Sequence, residues 1–355
     1  MNIFLRIILL PFTLIYSIVV RLRNFFYDIG LLKSTSYDFP TIVVGNLSVG
    51  GTGKTPHTDF ILSILKKDYL SAVLSRGYGR KTKGYKLADS GDRPSTIGDE
   101  PFQIFSKHPE ILVAVDEKRK RGIEKLRALP SAPQLIVLDD AFQHRRVKAG
   151  LNILLTDYSK LFINDIVLPS GRLREPKTAA KRADIIVVTK SPKVLSPLEI
   201  RRITNELKPK AYQKVFFSFI DYQNLRPLNV AAKEIGESIS NMKNFGVLAL
   251  SAIANPKPFE LHLNRYAKEI NYVRFRDHHF FNEKDYQKIK EKVSELFSPQ
   301  KAIVTTEKDA VKLDVNKFGE IPVFSLPIEI KFHKHEEEDF TKEIKDYVRS
   351  YTRER

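Results

Sequence analysis

The run Thr41-Ile-Val-Val-Gly-Asn-Leu-Ser-Val-Gly-Gly-Thr-Gly-Lys-Thr55 decides how this chain is read. Its apolar opening, 41–44, predicts a buried strand, and Thr58-Asp-Phe-Ile-Leu-Ser-Ile-Leu65 predicts a helix. A glycine-rich turn lies between them. Strand, turn and helix in that order let consecutive backbone N–H groups and a helix N-terminus converge on one anion. In this reading Ser48, Val49, Gly50, Gly51, Thr52, Gly53, Lys54 and Thr55 form a phosphate-cradling loop. Lys54 reaches the β- and γ-phosphates and Thr55 ligates Mg²⁺. The usual pattern starts with glycine. Here Ser48 takes that place and the glycines stand at 50, 51 and 53, so the turn is a variant.

Outward from this stretch, further strands are predicted at 72–74, 111–115, 135–138, 153–155 and 185–188, with helix-length segments such as 101–107 and 118–126 between them. Alternation of this kind is the mark of an α/β protein with a mainly parallel sheet covered on both faces. The ligand crevice of such a sheet opens at the carboxyl ends of its strands. The texture changes after Lys190. Residues 214–228 read as an extended linker, followed by a smaller α/β set with strands at 245–250, 272–275 and 302–305 and helices at 258–266 and 283–297. The charged tail after Lys331 reads as a terminal surface helix. The expected division is an N-terminal helix at 1–30, a phosphate-loop domain at 31–213, the linker at 214–228 and a smaller C-terminal domain at 229–355.

Composition narrows the function classes. The chain has 355 residues, enough for two cored domains, and no cysteine, which removes disulfides, thiolate metal sites and thiol nucleophiles and suits a reducing compartment. A net charge of +17 favours a polyanionic partner: nucleic acid, an anionic membrane surface or a phosphorylated substrate. The longest basic stretch, Lys118-Arg-Lys-Arg121, reads as a solvated helix face, and no aromatic-interleaved nucleic-acid module is recognisable. Residues 3–20 are almost wholly apolar, interrupted by Arg6, Thr13, Ser17 and Pro11, and they lack a signal-peptide cleavage pattern. This segment predicts lipid contact, and Arg21 and Arg23 behind it favour keeping the body of the protein cytoplasmic.

The strand Leu135-Ile-Val-Leu138 ends in Asp139 and Asp140, the acidic pair that the Mg²⁺ side of a phosphate-loop enzyme requires. Neighbouring strand residues face opposite ways, so one can address the metal while the other organises a side chain. Gln143 and His144 follow directly. Asp99 in Gly98-Asp-Glu-Pro101 is equally explicable as a helix cap. Asp277-His278-His279 offers an imidazole if the two units face each other, and it lacks a third ligand at helical spacing for zinc. Arg76-Gly-Tyr-Gly-Arg80 and Gly171-Arg-Leu-Arg-Glu-Pro176 place guanidinium groups in loops suited to phosphate.

Taken together and in order, Gly45-Asn-Leu-Ser-Val-Gly-Gly-Thr-Gly-Lys-Thr-Pro56, Ser75-Arg-Gly-Tyr-Gly-Arg80, Gly98-Asp-Glu-Pro101, Asp139-Asp-Ala-Phe-Gln-His144, Leu168-Pro-Ser-Gly-Arg-Leu-Arg-Glu-Pro176, Asp277-His278 and Thr306-Glu-Lys-Asp309 closely resemble the tetraacyldisaccharide 4'-kinase (lipid A 4'-kinase) family. The resemblance implies a P-loop NTPase-like fold and transfer of the ATP γ-phosphoryl group to the 4'-hydroxyl of an acylated glucosamine disaccharide 1-phosphate in lipid A biosynthesis. It also implies work at the cytoplasmic face of the inner membrane of a Gram-negative bacterium, with no nucleic acid and no obligate protein partner. Carried over, Lys54 and Thr55 bind ATP and Mg²⁺, Asp139 and Asp140 form the metal-side pair, Asp99 is the base, His278 pairs with it, and Arg172 stands near the transferring phosphoryl group. Ala141 replaces a common glycine and Ser170 a common alanine. The rival class is a membrane-associated P-loop ATPase switch. Such proteins carry a second lysine before the paired glycines, where this chain has Val49.

Overall fold

The computed structural model describes residues 3–353 and, within them, the side chains of residues 7–351. The first eight strands are β1 (Thr41–Asn46), β2 (Ser71–Ser75), β3 (Lys86–Leu87), β4 (Leu112–Val115), β5 (Leu135–Asp139), β6 (Leu151–Asp157), β7 (Ile185–Thr189) and β8 (Lys214–Tyr222). Then come β9 (Arg226–Pro227), β10 (Gly246–Ser251), β11 (Glu269–Arg274), β12 (Lys301–Thr306), β13 (Val323–Leu326) and β14 (Ile328–Phe332). They form a nine-stranded sheet in the order β14-β8-β7-β6-β1-β5-β2-β4-β3 and a five-stranded sheet in the order β11-β10-β12-β13-β9. The large sheet is parallel except for its edges, where β14 runs antiparallel to β8 and β3 to β4. This is the α/β architecture predicted from the sequence.

Burial on both faces explains why these strands are continuous apolar runs rather than alternating ones. Along β1, Ile42 and Val44 enter the core on one face while Val43 and Leu47 enter the core on the other. The chain leaves β1 toward β5 and β2 on one side and later fills β6 and β7 on the other. The end of β1 is therefore a switch point, where an α/β sheet opens its crevice.

Two expectations about the C-terminal part are corrected. The 214–228 stretch is extended, but β8 pairs with β7 as a strand of the large sheet, and β9 pairs with β13 in the small one. After the small sheet the chain returns, because β14 pairs with β8 and the helix Glu336–Arg353 packs on the large sheet. Long-range register of this kind leaves little local trace in sequence. The terminal helix is not a surface appendage. Phe340, Ile344 and Val348, spaced along one helical stripe, are at most 1% exposed. Each such burial contributes about 1.5–3 kcal/mol. Tyr347 fastens the helix further: its hydroxyl donates to the Thr41 carbonyl at 3.0 Å and accepts from the Thr41 N–H at 3.1 Å.

The N-terminal helix Ile3–Asp28 contrasts with this. From Ile7 onward it is long and apolar enough to cross a membrane, and only 11% of its most apolar window is buried. Phe12, Leu14, Ile15, Val19 and Phe25 are among its exposed apolar side chains. One flank is tied to the body of the protein. The Thr13 and Ser170 hydroxyls lie 2.6 Å apart, the Tyr16 hydroxyl donates to the Arg174 carbonyl at 2.8 Å, and Arg23 donates to the Gln143 carbonyl at 3.0 Å.

Candidate active site

The loop between β1 and the helix Lys54–Leu65 adopts the conformation its glycines permit. Gly50 and Gly53 have φ of 105° and 85°, a region that costs a side chain dearly, and Gly53 is the residue from which the helix starts. Buried partners hold the loop from outside. Asn46 donates to the Thr52 hydroxyl at 2.7 Å, and the Thr189 hydroxyl donates to the Thr52 carbonyl at 2.9 Å. His57 bridges the Gly53 carbonyl (2.7 Å) and the Ser218 hydroxyl (2.9 Å), and burial holds it neutral by pushing its pKa down to about 4. Lys190 donates to the Gly51 carbonyl. Carbonyls are thus engaged outward. Among the described residues, no acceptor within the protein takes the N–H groups of Gly51, Thr52, Gly53, Lys54 or Thr55. Unclaimed amides at a helix N-terminus fit a phosphate chain.

A second loop lies along the first. The Val49 N–H donates to the Arg172 carbonyl at 2.7 Å and the Arg174 N–H to the Leu47 carbonyl at 2.6 Å. The two arginines bond different carboxylates. Arg174 Nη1 approaches both oxygens of Asp140 (3.0 and 3.2 Å), while Arg172 turns to Asp165 at 3.1 Å. Lys54 Nζ is 3.8 Å from the same Asp140 carboxylate. The guanidinium that shares Asp140 with Lys54 is that of Arg174, while Arg172, the arginine expected near the transferring phosphoryl group, bonds Asp165.

Asp139 and Asp140 divide their tasks as their strand end predicts. Asp139 is buried, accepts from the Thr58 hydroxyl at 3.0 Å, and has its carboxyl pushed up to about 7 by burial and by the charges of Glu100 and Asp140. Asp140 turns out with φ of 45°. Burial would raise its carboxyl too, but Lys54 and Arg174 hold it below the usual range. A buried carboxylate that Glu100 and Asp140 push toward its neutral form is what a divalent cation relieves, so Asp139 beside Asp140 fits Mg²⁺. Arg119 supports them from below: it is 2% exposed and donates to the Asp139 carbonyl at 3.1 Å. The stretch 118–121 was expected to be a solvated face. The helix Arg119–Arg127 nevertheless buries Arg119, Ile123 and Leu126 together, and that i, i+4, i+7 spacing was the available signal. His144 stays neutral, pushed down to about 4 by burial and by the Arg119 and Arg76 guanidiniums. Gln143 donates to the Asn46 carbonyl at 2.6 Å.

Asp99 is the first residue of the helix Asp99–Lys107, and Gly98 (φ 97°) occupies the cap position instead. Its carboxylate, 3% exposed, faces the small sheet, where His278 Nδ1 lies 2.8 and 3.0 Å from its two oxygens. Burial would raise the Asp99 carboxyl, but His278, Lys308 and Lys312 hold it below the ordinary range. His278 reaches it with φ of 60°, while His279 turns away to Asp285 at 2.8 Å. The two histidines diverge, so they do not form a common metal site. Glu100, next to Asp99, acts on Asp139, which connects this pair to the metal side of the loop.

A switch-point phosphate loop with a facing acidic pair and a carboxylate–imidazole pair defines a P-loop phosphotransferase. Comparison with known proteins refines the class. Residues 5–349 match the family model described as tetraacyldisaccharide-1-P 4'-kinase. The tetraacyldisaccharide 4'-kinase of Flavobacterium psychrophilum is 45% identical, with 98% of each chain covered, and that of Bacteroides thetaiotaomicron is 43% identical over 97% of this chain and 94% of its own. A crystal structure of the "apo" form of LpxK from Aquifex aeolicus in complex with ATP is 30% identical, with a TM-score of 0.73 over 97% of this chain and 99% of that one. The chain belongs to the tetraacyldisaccharide-1-P 4'-kinase family.

Proposed function

We propose that this protein transfers the γ-phosphoryl group of ATP to the 4'-hydroxyl of a tetraacyldisaccharide 1-phosphate, a step of lipid A biosynthesis. The observation that carries the reading is the convergence of Lys54, Asp140 and Arg174 at a loop with unclaimed amides, with the Asp99–His278 pair at the start of the helix between the parallel strands β2 and β4, on the same carboxyl edge of the sheet. The membership of the chain in a kinase family removes the support for an ATPase switch.

Phosphoryl transfer leaves little covalent work to the protein beyond positioning and charge. The amides of residues 50–55 and Lys54 bind the phosphate chain, and Arg174 neutralises charge that spreads over the γ-oxygens. Thr55, Asp139 and Asp140 would hold Mg²⁺, which would supply further neutralisation of the phosphate charge. Asp99, ionised at neutral pH, accepts the hydroxyl proton as the oxygen–phosphorus bond forms and the bond to ADP breaks. His278 orients that carboxylate. Arg172, tied to Asp165, acts through its main-chain carbonyl on Val49.

The N-terminal helix lies in the cytoplasmic leaflet of the inner membrane. Its ties to the body extend from Thr13 to Arg23, which supports a helix resting along the interface with its apolar flank in lipid. The net charge of +17 suits an anionic surface and a phosphorylated lipid. The test is transfer of label from γ-labelled ATP to a tetraacyldisaccharide 1-phosphate in mixed micelles. Label in the lipid, lost on Lys54→Ala, supports the reading; lipid-independent hydrolysis alone refutes it.

A further inference from the structure

Lys308, in the short helix Glu307–Ala310 that follows β12, sits against the Asp99–His278 pair. Its Nζ is 3.2 Å from Glu100 Oε1, 3.3 Å from Asp277 Oδ1 and 3.2 Å from His278 Nε2, with Asp99 Oδ2 at 3.9 Å. Burial would lower its pKa, but the carboxylates of Glu100, Asp99 and Asp277 raise it, so it is an ammonium at every working pH. An ammonium has donors and no acceptor. Its contact with Nε2 therefore requires a lone pair there, and the single imidazole hydrogen then sits on Nδ1, facing Asp99.

The surroundings of His278 make that contact decisive. Asp99 and Glu100 face it from the helix Asp99–Lys107, Asp277 lies at 3.8 Å in its own loop, and the Tyr78 ring stands edge-on at 5.0 Å between centroids. From the small-sheet side come Lys308 and, behind Asp99, Lys312, whose Nζ is 2.9 Å from Asp309 and 3.7 Å from Asp99. Asp99 on one edge of the ring and the Lys308 ammonium on the other therefore fix which nitrogen carries the hydrogen. The Nδ1–H so placed donates to Asp99 and sets the direction of its carboxylate.

We propose that Lys308 is a positioning residue of the transfer reaction, holding His278 as the Nδ1–H tautomer that donates to Asp99 and so fixes the direction of the carboxylate that accepts the substrate proton. The proposal rests on the reading of Asp99 as that acceptor. Lys308 acts through His278 and is not itself a catalytic residue.

The experiment uses the full chain in detergent micelles. ¹⁵N NMR of the imidazole nitrogens, with His278→Gln as the assignment control, reads the tautomer in the wild type, Lys308→Met and Lys308→Arg; kcat against pH is measured on the same three proteins. In the wild type at pH 7 the Nε2 of His278 is unprotonated. In Lys308→Met that preference is lost, and kcat falls by about tenfold across the pH range, the scale of a misdirected proton acceptor. KM for ATP stays within about twofold, and Lys308→Arg restores both readouts. An Nε2–H tautomer in the wild type overturns the proposal before any variant is made. A ring that changes in Lys308→Met while kcat stays fixed overturns it as well. Asp99→Asn distinguishes the two levels: full turnover in that variant ends the proton-acceptor reading, whereas low turnover there with an unchanged kcat in Lys308→Met leaves that reading intact and rejects Lys308 alone.

Discussion

Arg174 and Asp140 meet through two contacts of 3.0 and 3.2 Å, and Lys54 approaches the same carboxylate at 3.8 Å. Two cations converge on one anion at the mouth of a phosphate loop. A γ-phosphate entering there competes for both and inherits a preorganised positive site.

Arg174 and Arg172 are two residues apart and are expected to behave differently. Arg174→Ala should lower kcat by roughly 10²–10³-fold, the scale for removing one transition-state donor. Arg172→Ala should cost less than about tenfold, because its side chain bonds Asp165 while the contact with Val49 is made by the main chain. Initial rates of lipid phosphorylation check the pair. Equal losses would contradict the assignment.

Asp139 gives a pH-dependent stability. Burial and the charges of Glu100 and Asp140 push its carboxyl up to about 7 in the folded protein, above its ordinary value of 3.8. The folded state thus binds the proton more tightly than the unfolded state, so this stability is present below pH 4 and lost as pH rises through 7. Asp139→Asn should therefore raise the melting temperature by a few degrees at pH 8 and hardly at pH 4, while abolishing turnover. Scanning calorimetry at the two pH values decides it.

Phe340 should behave as a core residue although it lies in a highly charged terminal segment. It is 1% exposed and its ring lies 4.5 Å from that of Phe332, between centroids. Phe340→Ala should destabilise by about 3–5 kcal/mol, the usual cost of deleting a buried aromatic side chain. Urea unfolding measures it, and a loss below about 1 kcal/mol would contradict the packing.

The outer flank of the N-terminal helix should govern lipid association. Phe12→Asp combined with Ile15→Asp places charge where 62% and 61% exposed apolar side chains now stand. Binding to anionic vesicles should fall at least tenfold in flotation assays, with ATP affinity unchanged. Undiminished flotation would rule this face out as the lipid contact.

Much of this arrangement was legible in the sequence. The phosphate loop, Asp139 with Asp140, and the α/β alternation all announce themselves locally, through glycine spacing, strand-end carboxylates and period. Arg174 was hidden in a loop carrying two arginines, because its orientation depends on pairing with residues 47–49, more than a hundred positions away. Arg119 was masked by the charges beside it, although its spacing to Ile123 and Leu126 marks an inward face. The return of β14 and the terminal helix to the large sheet was unreadable for a similar reason, since β14 takes its register from β8 across an entire second sheet. What the sequence conceals are partners chosen at long range.

The hydroxyl of Tyr16 binds the carbonyl of Arg174 itself, and Thr13 fastens Ser170 four residues earlier on the same loop. The helix is therefore a brace as well as an apolar surface. Removing the first thirty residues would release the backbone that turns Arg174 toward Asp140, so such a truncation should disturb the loop beside Lys54 and not merely the exposed apolar flank.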